Sequence, residues 1–301
     1  MKYLSSYIIG LFFITAISSC HSKMYSHSSL NKESTDANGN LMLLGHSTEQ
    51  RLQQAPFNSW FVKNYNDYSV DTITAEKIKS ELQHKNFKIF MGTWCGDSRR
   101  EVPRMFKILN YCGVRSSQIQ LIMLDDRDSV YKQSPDHEER GMNIHRVPDF
   151  IVFDNKKEMG RIVESPIVSL EKDLDKITNG EGYSPNYKAV SFLIDFFQKN
   201  DPAISGGNYS DLENKLRPLA SASSELNTYG YVLMTAGEMQ KAGIVFKLNT
   251  QLYPDKANVF DSLGEYYFKT GKRSLAKENY LKVLQMEPDN KNAKKMIAQL
   301  Q

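Results

Sequence analysis

Cysteine is scarce in this chain: 301 residues hold only three, Cys20, Cys95 and Cys112. So few cannot build the disulfide framework of a small secreted scaffold. No cysteine–histidine set has the spacing of a structural zinc site, and neither metal nor cofactor is expected. One-sided charge is missing too. Lys and Arg number 38 against 35 Asp and Glu, a net charge of +3. No basic patch is interleaved with aromatics, which argues against nucleic acid as a partner; the basic Lys291–Lys295 stretch reads as a solvated helix end. A hydrophobic run of spanning length is also lacking. The longest, Leu4 to Ile17, has about 14 residues where a bilayer-crossing helix needs roughly 20. What remains is the composition of an ordinary soluble chain, 40% hydrophobic and 24% charged, long enough for two modest domains and their connections.

The short apolar run follows Lys2 and has the length of a signal-peptide core. It ends Ile17-Ser18-Ser19-Cys20, which resembles a bacterial lipobox. That resemblance implies a lipoprotein signal segment over residues 1–20, cut just before Cys20, lipid on Cys20 as the new N-terminus, and a periplasm-facing lipoprotein of the cell envelope, anchored to the membrane rather than crossing it. Ordinary cleavage after Ser18, guided by Ala16 and Ser18, is the alternative. With Cys20 lipidated, Cys95 and Cys112 are the remaining thiols, in a compartment where disulfides form. At least one of them is then expected to be reactive.

Residues 21–40 are rich in Ser, His, Asn and Lys and read as a flexible tether. Structure is expected from Leu41 onward, with a helix start at Ser47 and Gln50. Phe57, Trp60, Phe61, Tyr65 and Tyr68 recur at helical spacing, as core or as the lining of a ligand groove. Helices are predicted over Ile73–Gln83, Ser98–Asn110 and Leu170–Ile177. Strands are predicted over Phe87–Met91, Gln118–Leu124, Phe150–Phe153 and Gly160–Glu164, the last two joined by a turn at 154–157. This alternation predicts a mixed α/β sheet with flanking helices over residues 41–180.

A Gly- and Pro-containing linker at Thr178–Asn186 leads into a helical connector, 181–225, with an amphipathic helix marked by Val190, Leu193, Ile194 and Phe197. A second break is expected at Ser205–Ser210. Residues 226–301 then repeat. Gly230 and Gly264 are 34 residues apart, as are Gly237 and Gly271, Ala242 and Ala276, Phe246 and Tyr280, and Pro254 and Pro288. The pattern resembles two tetratricopeptide repeats, and so implies an all-α array that docks a protein partner. Asn292–Leu300 is expected to cap one end, because each repeat buries its apolar face on a neighbour.

Thr93-Trp94-Cys95-Gly96-Asp97-Ser98 lies between a predicted strand and a predicted helix. A cysteine at a helix start feels unpaired N–H groups and the positive end of the dipole, and both favour the nucleophilic thiolate. Arg99 and Arg100 are expected to add to this. Here the chain resembles the thioredoxin family, over roughly Phe87–Ile177. Trp94, Cys95 and Gly96 match the family's centre, and Arg146-Val147-Pro148-Asp149 looks like its cis-proline loop. The resemblance implies that Pro148 packs beside Cys95 and that Val147 offers backbone hydrogen bonds to a substrate; an ordinary trans proline at a strand start is the other reading.

Two departures go together. Ser98 stands where the family has its second cysteine, and Ile89 where it has a buried acid that serves that cysteine. Cys112 cannot substitute, since a helix over 98–110 sets it about 20 Å beyond the helix start and a disulfide needs Cα atoms within about 7 Å. It reads as a structural thiol. Cys95 is thus the candidate catalytic residue, supported by Trp94, Gly96, Asp97, Ser98, Val147 and Pro148. Ser98 is expected to steady the thiolate, and Asp97 to be exposed. Asp125, Asp126 and Asp128 are either a cation site or a solvated turn; His137 and His145 are lesser acid–base candidates.

The expected activity is monothiol thiol–disulfide exchange on exported cysteine-containing proteins, with the repeats docking a partner. A redox-silent binding scaffold is the alternative. A loose likeness of Cys-Gly-Asp-Ser to monothiol glutaredoxins conflicts with the export signal.

Overall fold

The computed structural model describes residues 30–36, 38–127, 130–199 and 210–300. The signal-peptide segment with Cys20, most of the tether, Asp128 and most of the 205–210 break lie outside the described residues. Among the described residues, no helix is long and apolar enough to cross a membrane.

The first half is a six-stranded mixed sheet with helices. Its elements are β1 (Lys32–Thr35), β2 (Leu41–Ser47), α1 (Glu49–Leu52), α2 (Asn58–Asp67), α3 (Thr72–Leu82), β3 (Asn86–Met91), α4 (Gly96–Tyr111), β4 (Ile119–Met123), β5 (Asp149–Asp154), β6 (Lys157–Val163) and α5 (Leu170–Asn179). The strand order is β1-β2-β4-β3-β5-β6. Only β3 and β4 pair in parallel, as their connection through α4 requires. The other neighbours are antiparallel.

The central strands are apolar on both faces. Ile89 stands beside Leu121 on one flank and Phe150 on the other. These three belong to a core with Phe61, Ile78, Val102, Met105, Phe106, Leu109 and Leu174 from the helices. The alternate residues Phe90, Ile122, Leu124 and Ile151 face the other way and are covered by Ile144 and Val147. The segment between β4 and β5 therefore closes the second face, and it brings Val147 to the end of β3.

The aromatic stripe of α2 is core, not a groove: Phe57 and Phe61 are buried, with Trp60, Tyr65 and Tyr68 packed against them. In α4, Val102, Met105, Phe106 and Leu109 form the inward stripe of an amphipathic helix. Pro103 sits inside this helix and has no N–H for the carbonyl of Arg99. Asn64 Nδ2 of α2 supplies the missing donor at 3.1 Å.

Two expectations near the N-terminus need correction. The tether does not run to residue 40, because Lys32–Thr35 form an edge strand paired with β2. Backbone pairing holds it, assisted by the Asp36 carboxylate, which accepts from the N–H groups of Asn38 and Asn40 at the turn. Its polar side chains suit a sheet edge. The helix start also moves by one residue. Ser47 ends β2, and Thr48 Oγ1 caps α1 by accepting from Arg51 N at 3.1 Å.

The second half is helical: α6 (Lys188–Lys199), α7 (Ser210–Leu216), α8 (Ser223–Thr235), α9 (Met239–Leu252), α10 (Ala257–Lys269), α11 (Arg273–Met286) and α12 (Lys291–Gln299). The 34-residue spacing has a steric cause. A Cβ on Gly230 would lie 2.6 Å from the Phe246 ring, and one on Gly264 3.1 Å from Tyr280. In each pair of helices, α8 with α9 and α10 with α11, glycine and aromatic are the two sides of one close contact. Residues from α6 to α12 share a single core that includes Val190, Leu193, Tyr229, Phe246 and Tyr280.

The two halves meet on the segment before β5. Tyr229 Oη donates to Asn143 Oδ1 at 3.2 Å, and Arg146 donates to the carbonyl of Ser224 at 3.3 Å. The His145 ring stands edge-on to Tyr187 and Tyr229, 5.4 and 6.1 Å away.

Candidate functional site

Cys95 occupies the N-cap of α4, with extended backbone (φ −85°, ψ 126°), directly after the turn that leaves β3. It is half-buried and free. Its Sγ donates to the carbonyl of Val147 at 3.3 Å, and the Val147–Pro148 peptide is cis. Cys95 and the Val147–Pro148 pair, distant in sequence, thus stand together at the positive end of a 16-residue helix.

The turn before Cys95 is tightly held. Trp94 Nε1 donates to the carbonyl of Leu124 at 2.8 Å, and its ring packs on Tyr131 with centroids 5.7 Å apart. Thr93 Oγ1 accepts from Leu43 N, and its carbonyl accepts from Arg99 Nε at 2.5 Å. A Cβ on Gly92 would fall 2.3 Å from the Trp94 ring. At Gly96, by contrast, a Cβ would meet nothing within 4 Å, so that glycine has no packing role.

Several expected roles change. Ser98 is fully buried and accepts from Gly92 N at 3.4 Å, so it braces the turn and does not steady the sulfur. Asp97 is partly exposed and paired with Arg100 at 2.7 Å. Arg100 also bonds Glu101, and Arg99 is turned to Thr93. Neither arginine is directed to the thiol. Cys112 caps the far end of α4 and is fully buried, and burial pushes its thiol up to about 11. Asp125 is buried and ion-paired with Arg127. Among the described residues no cluster of three His, Cys, Asp or Glu could hold a metal ion. His137 pairs with Glu139 at 3.4 Å.

His145 is enclosed. Burial lowers it to about 3, against the opposing effect of the Asn143 carbonyl 3.2 Å from Nδ1. Its Nε2 has no hydrogen-bond partner among the described residues. The ring is neutral packing for the Val147 segment and not an acid–base group. As pH falls, the unfolded chain protonates near 6.5 while the folded ring holds off until about 3. Stability is therefore full above pH 6.5 and declines below it. From pH 7 to pH 5 this one group is expected to remove about 2 kcal/mol. In urea titrations across that interval, His145→Phe should flatten the acid slope by that amount. An unchanged slope would mean that the ring is accessible to protons in the folded chain.

Sequence reasoning missed Tyr131 and Lys132. They lie in the irregular segment after β4, where no periodicity or motif marks them. Lys132 is 6% exposed, its Nζ donating to the carbonyl of His145 at 2.6 Å. Asp149, just after Pro148, is fully buried beside Arg161 at 3.1 Å, and burial outweighs the guanidinium to raise the carboxyl to about 6.

No protein-family profile matches the chain, and no curated protein matches it.

Proposed function

We propose that this chain is a thioredoxin-like monothiol exchange protein, in which Cys95 attacks disulfides and the helical half, read as tetratricopeptide-like repeats, docks a partner. We read it as an exported lipoprotein held to the cell envelope through Cys20, with exported cysteine-containing proteins as substrates. The observation that carries the reading is the approach of Cys95 Sγ to the Val147 carbonyl at 3.3 Å beside the cis Val147–Pro148 peptide. A thiol at a helix N-terminus, half-exposed and next to a backbone edge that can hold an extended peptide, has what exchange needs: a nucleophile and a way to align its target.

The chemistry balances with one thiol. The Cys95 thiolate attacks one sulfur of a substrate disulfide, the substrate S–S bond breaks, and its other sulfur leaves as thiolate. That thiolate, or another on the same substrate, then attacks the mixed disulfide. Cys95 departs, and the substrate is re-paired without net oxidation. The Val147 carbonyl, which accepts from the resting thiol, becomes available to a substrate N–H when the thiol ionises.

The test is adduct mapping. Reduced full-length protein is mixed with oxidised glutathione and digested for mass spectrometry. Of the two thiols left when Cys20 carries lipid, one is expected to form an adduct, Cys95, with Cys112 unmodified until the protein is denatured. Absence of an adduct at Cys95 overturns the exchange reading and leaves the redox-silent scaffold.

A further inference from the structure

A buried lysine normally has a carboxylate beside it, because an ammonium taken out of water without a counter-charge is costly. Lys132 breaks this rule. It is 6% exposed, yet among the described residues its ammonium makes no ion pair with a carboxylate. Its bonded partner is a neutral acceptor, the carbonyl of His145, and the Tyr131 ring lies 5.0 Å from Nζ. Its backbone is fixed in the left-handed region (φ 58°), with N–H bonded to the Asp125 carbonyl. The ammonium is therefore held where it is and does not reach for solvent.

The group placed to answer this charge is Cys95. Lys132 Nζ holds the His145 carbonyl and Cys95 Sγ holds the Val147 carbonyl, two residues along the same segment. Trp94, next to Cys95, packs on Tyr131, next to Lys132. The other charged and titratable groups near the pair are committed elsewhere. From α4, Asp97 is paired with Arg100, and Arg99 is on the Thr93 carbonyl. From the strand-connecting segments, Glu164 is shared by Arg146 and Tyr187, Asp125 is held by Arg127, and Asp126 has a partner of its own. Burial, with the positive charge of Arg146, draws the Lys132 ammonium down to about 8, an effect opposed first by Cys95 and then by Glu164. Tyr131 is pushed up by burial and by the Cys95 charge.

We propose that Lys132 is the counter-ion of the Cys95 thiolate, a positioning residue that takes the place of the cationic help that Arg99 and Arg100 do not give. The inference deepens the exchange reading and rests on it for its functional meaning. Its test does not, because thiolate formation is read without any substrate disulfide.

In the full chain, the rate of Cys95 alkylation by iodoacetamide is followed against pH. In Lys132→Met the profile is expected to move to higher pH, with a rate at pH 7 lower by about tenfold, and Lys132→Arg is expected to restore most of it. A Lys132→Met profile that overlays the wild type overturns the proposal, whatever the exchange activity. Should Lys132→Met fail to fold, the reciprocal measurement decides. In Cys95→Ala, which alters a half-exposed side chain, the NMR titration of the Lys132 ε-methylene should move to lower pH, and an unmoved midpoint overturns the proposal equally.

Discussion

Cys95→Ser is expected to abolish the refolding of a scrambled-disulfide substrate, leaving the rate at the protein-free background, while Cys112→Ala keeps the wild-type rate. The contrast follows from where the two thiols sit. Cys95 is half-buried at the N-terminus of α4, and a hydroxyl there is not appreciably ionised at neutral pH. Cys112 is sealed at the other end of the same helix with its thiol raised to about 11. The companion variant is Ser98→Cys. Position 98 lies on the first turn of α4, one turn from Cys95, so an introduced thiol there attacks the mixed disulfide, releases the substrate reduced, and closes a disulfide with Cys95. With dithiothreitol as the electron source, the variant should gain insulin-reducing turnover that the wild type lacks. Loss of isomerisation in Cys95→Ser without gain in Ser98→Cys would mean that the introduced thiol stays on the Gly92 N–H and does not reach the sulfur. Isomerisation persisting in Cys95→Ser would remove Cys95 from the mechanism.

The second large effect is expected from one methyl group. In Gly92→Ala the new Cβ would fall 2.3 Å from Cε2 and 2.5 Å from Nε1 of Trp94, far inside contact distance. The indole must swing away, losing its bond to the Leu124 carbonyl and its packing on Tyr131. Overpacking of this kind costs about 1–3 kcal/mol, and the lost hydrogen bond about 1 more. Because Cys95 is the next residue after Trp94, the displacement is passed to the sulfur. Urea titration should show the loss of about 2–4 kcal/mol together with a changed near-ultraviolet dichroism, and glutathione adduct formation should fall with it. Gly96→Ala is the internal control, expected within about 0.5 kcal/mol of wild type, since nothing lies within 4 Å of the new carbon. A Gly92→Ala protein as stable as Gly96→Ala would show that the turn is not braced by the indole.

The sequence made the central strands legible because Phe87–Met91 and Phe150–Phe153 are apolar on both faces, and it made the helical half legible because the Gly–aromatic contact recurs every 34 residues. It hid β1, whose Lys, Glu, Ser and Thr are held by main-chain pairing that leaves no mark in side-chain pattern. At the site, Trp94, Cys95, Val147 and Pro148 could be picked out as short local strings. Lys132 could not, since its significance depends on the irregular segment after β4 folding back so that Nζ meets the His145 carbonyl, two residues before the Val147 carbonyl that Cys95 meets. The role of Ser98 is hidden for a related reason. Its spacing from Cys95 suggested a partner for the sulfur, whereas the fold directs it inward to the main chain of β3's end.

The contacts of Tyr187, Ser224 and Tyr229 on residues 143–146 bear on how far the α/β half is autonomous. A domain able to stand alone presents a water-adapted surface at its boundary. Cut after residue 180, this one would lose the two tyrosine rings that enclose His145 and the carbonyl that Arg146 donates to. The exposed imidazole would again titrate in the ordinary histidine range, and the segment that carries Val147 would lose its outer wall. The helical half is thus part of the architecture of the thiol site and not cargo attached to it, so a different helical half could not take its place without re-tailoring the segment before β5 that faces Cys95.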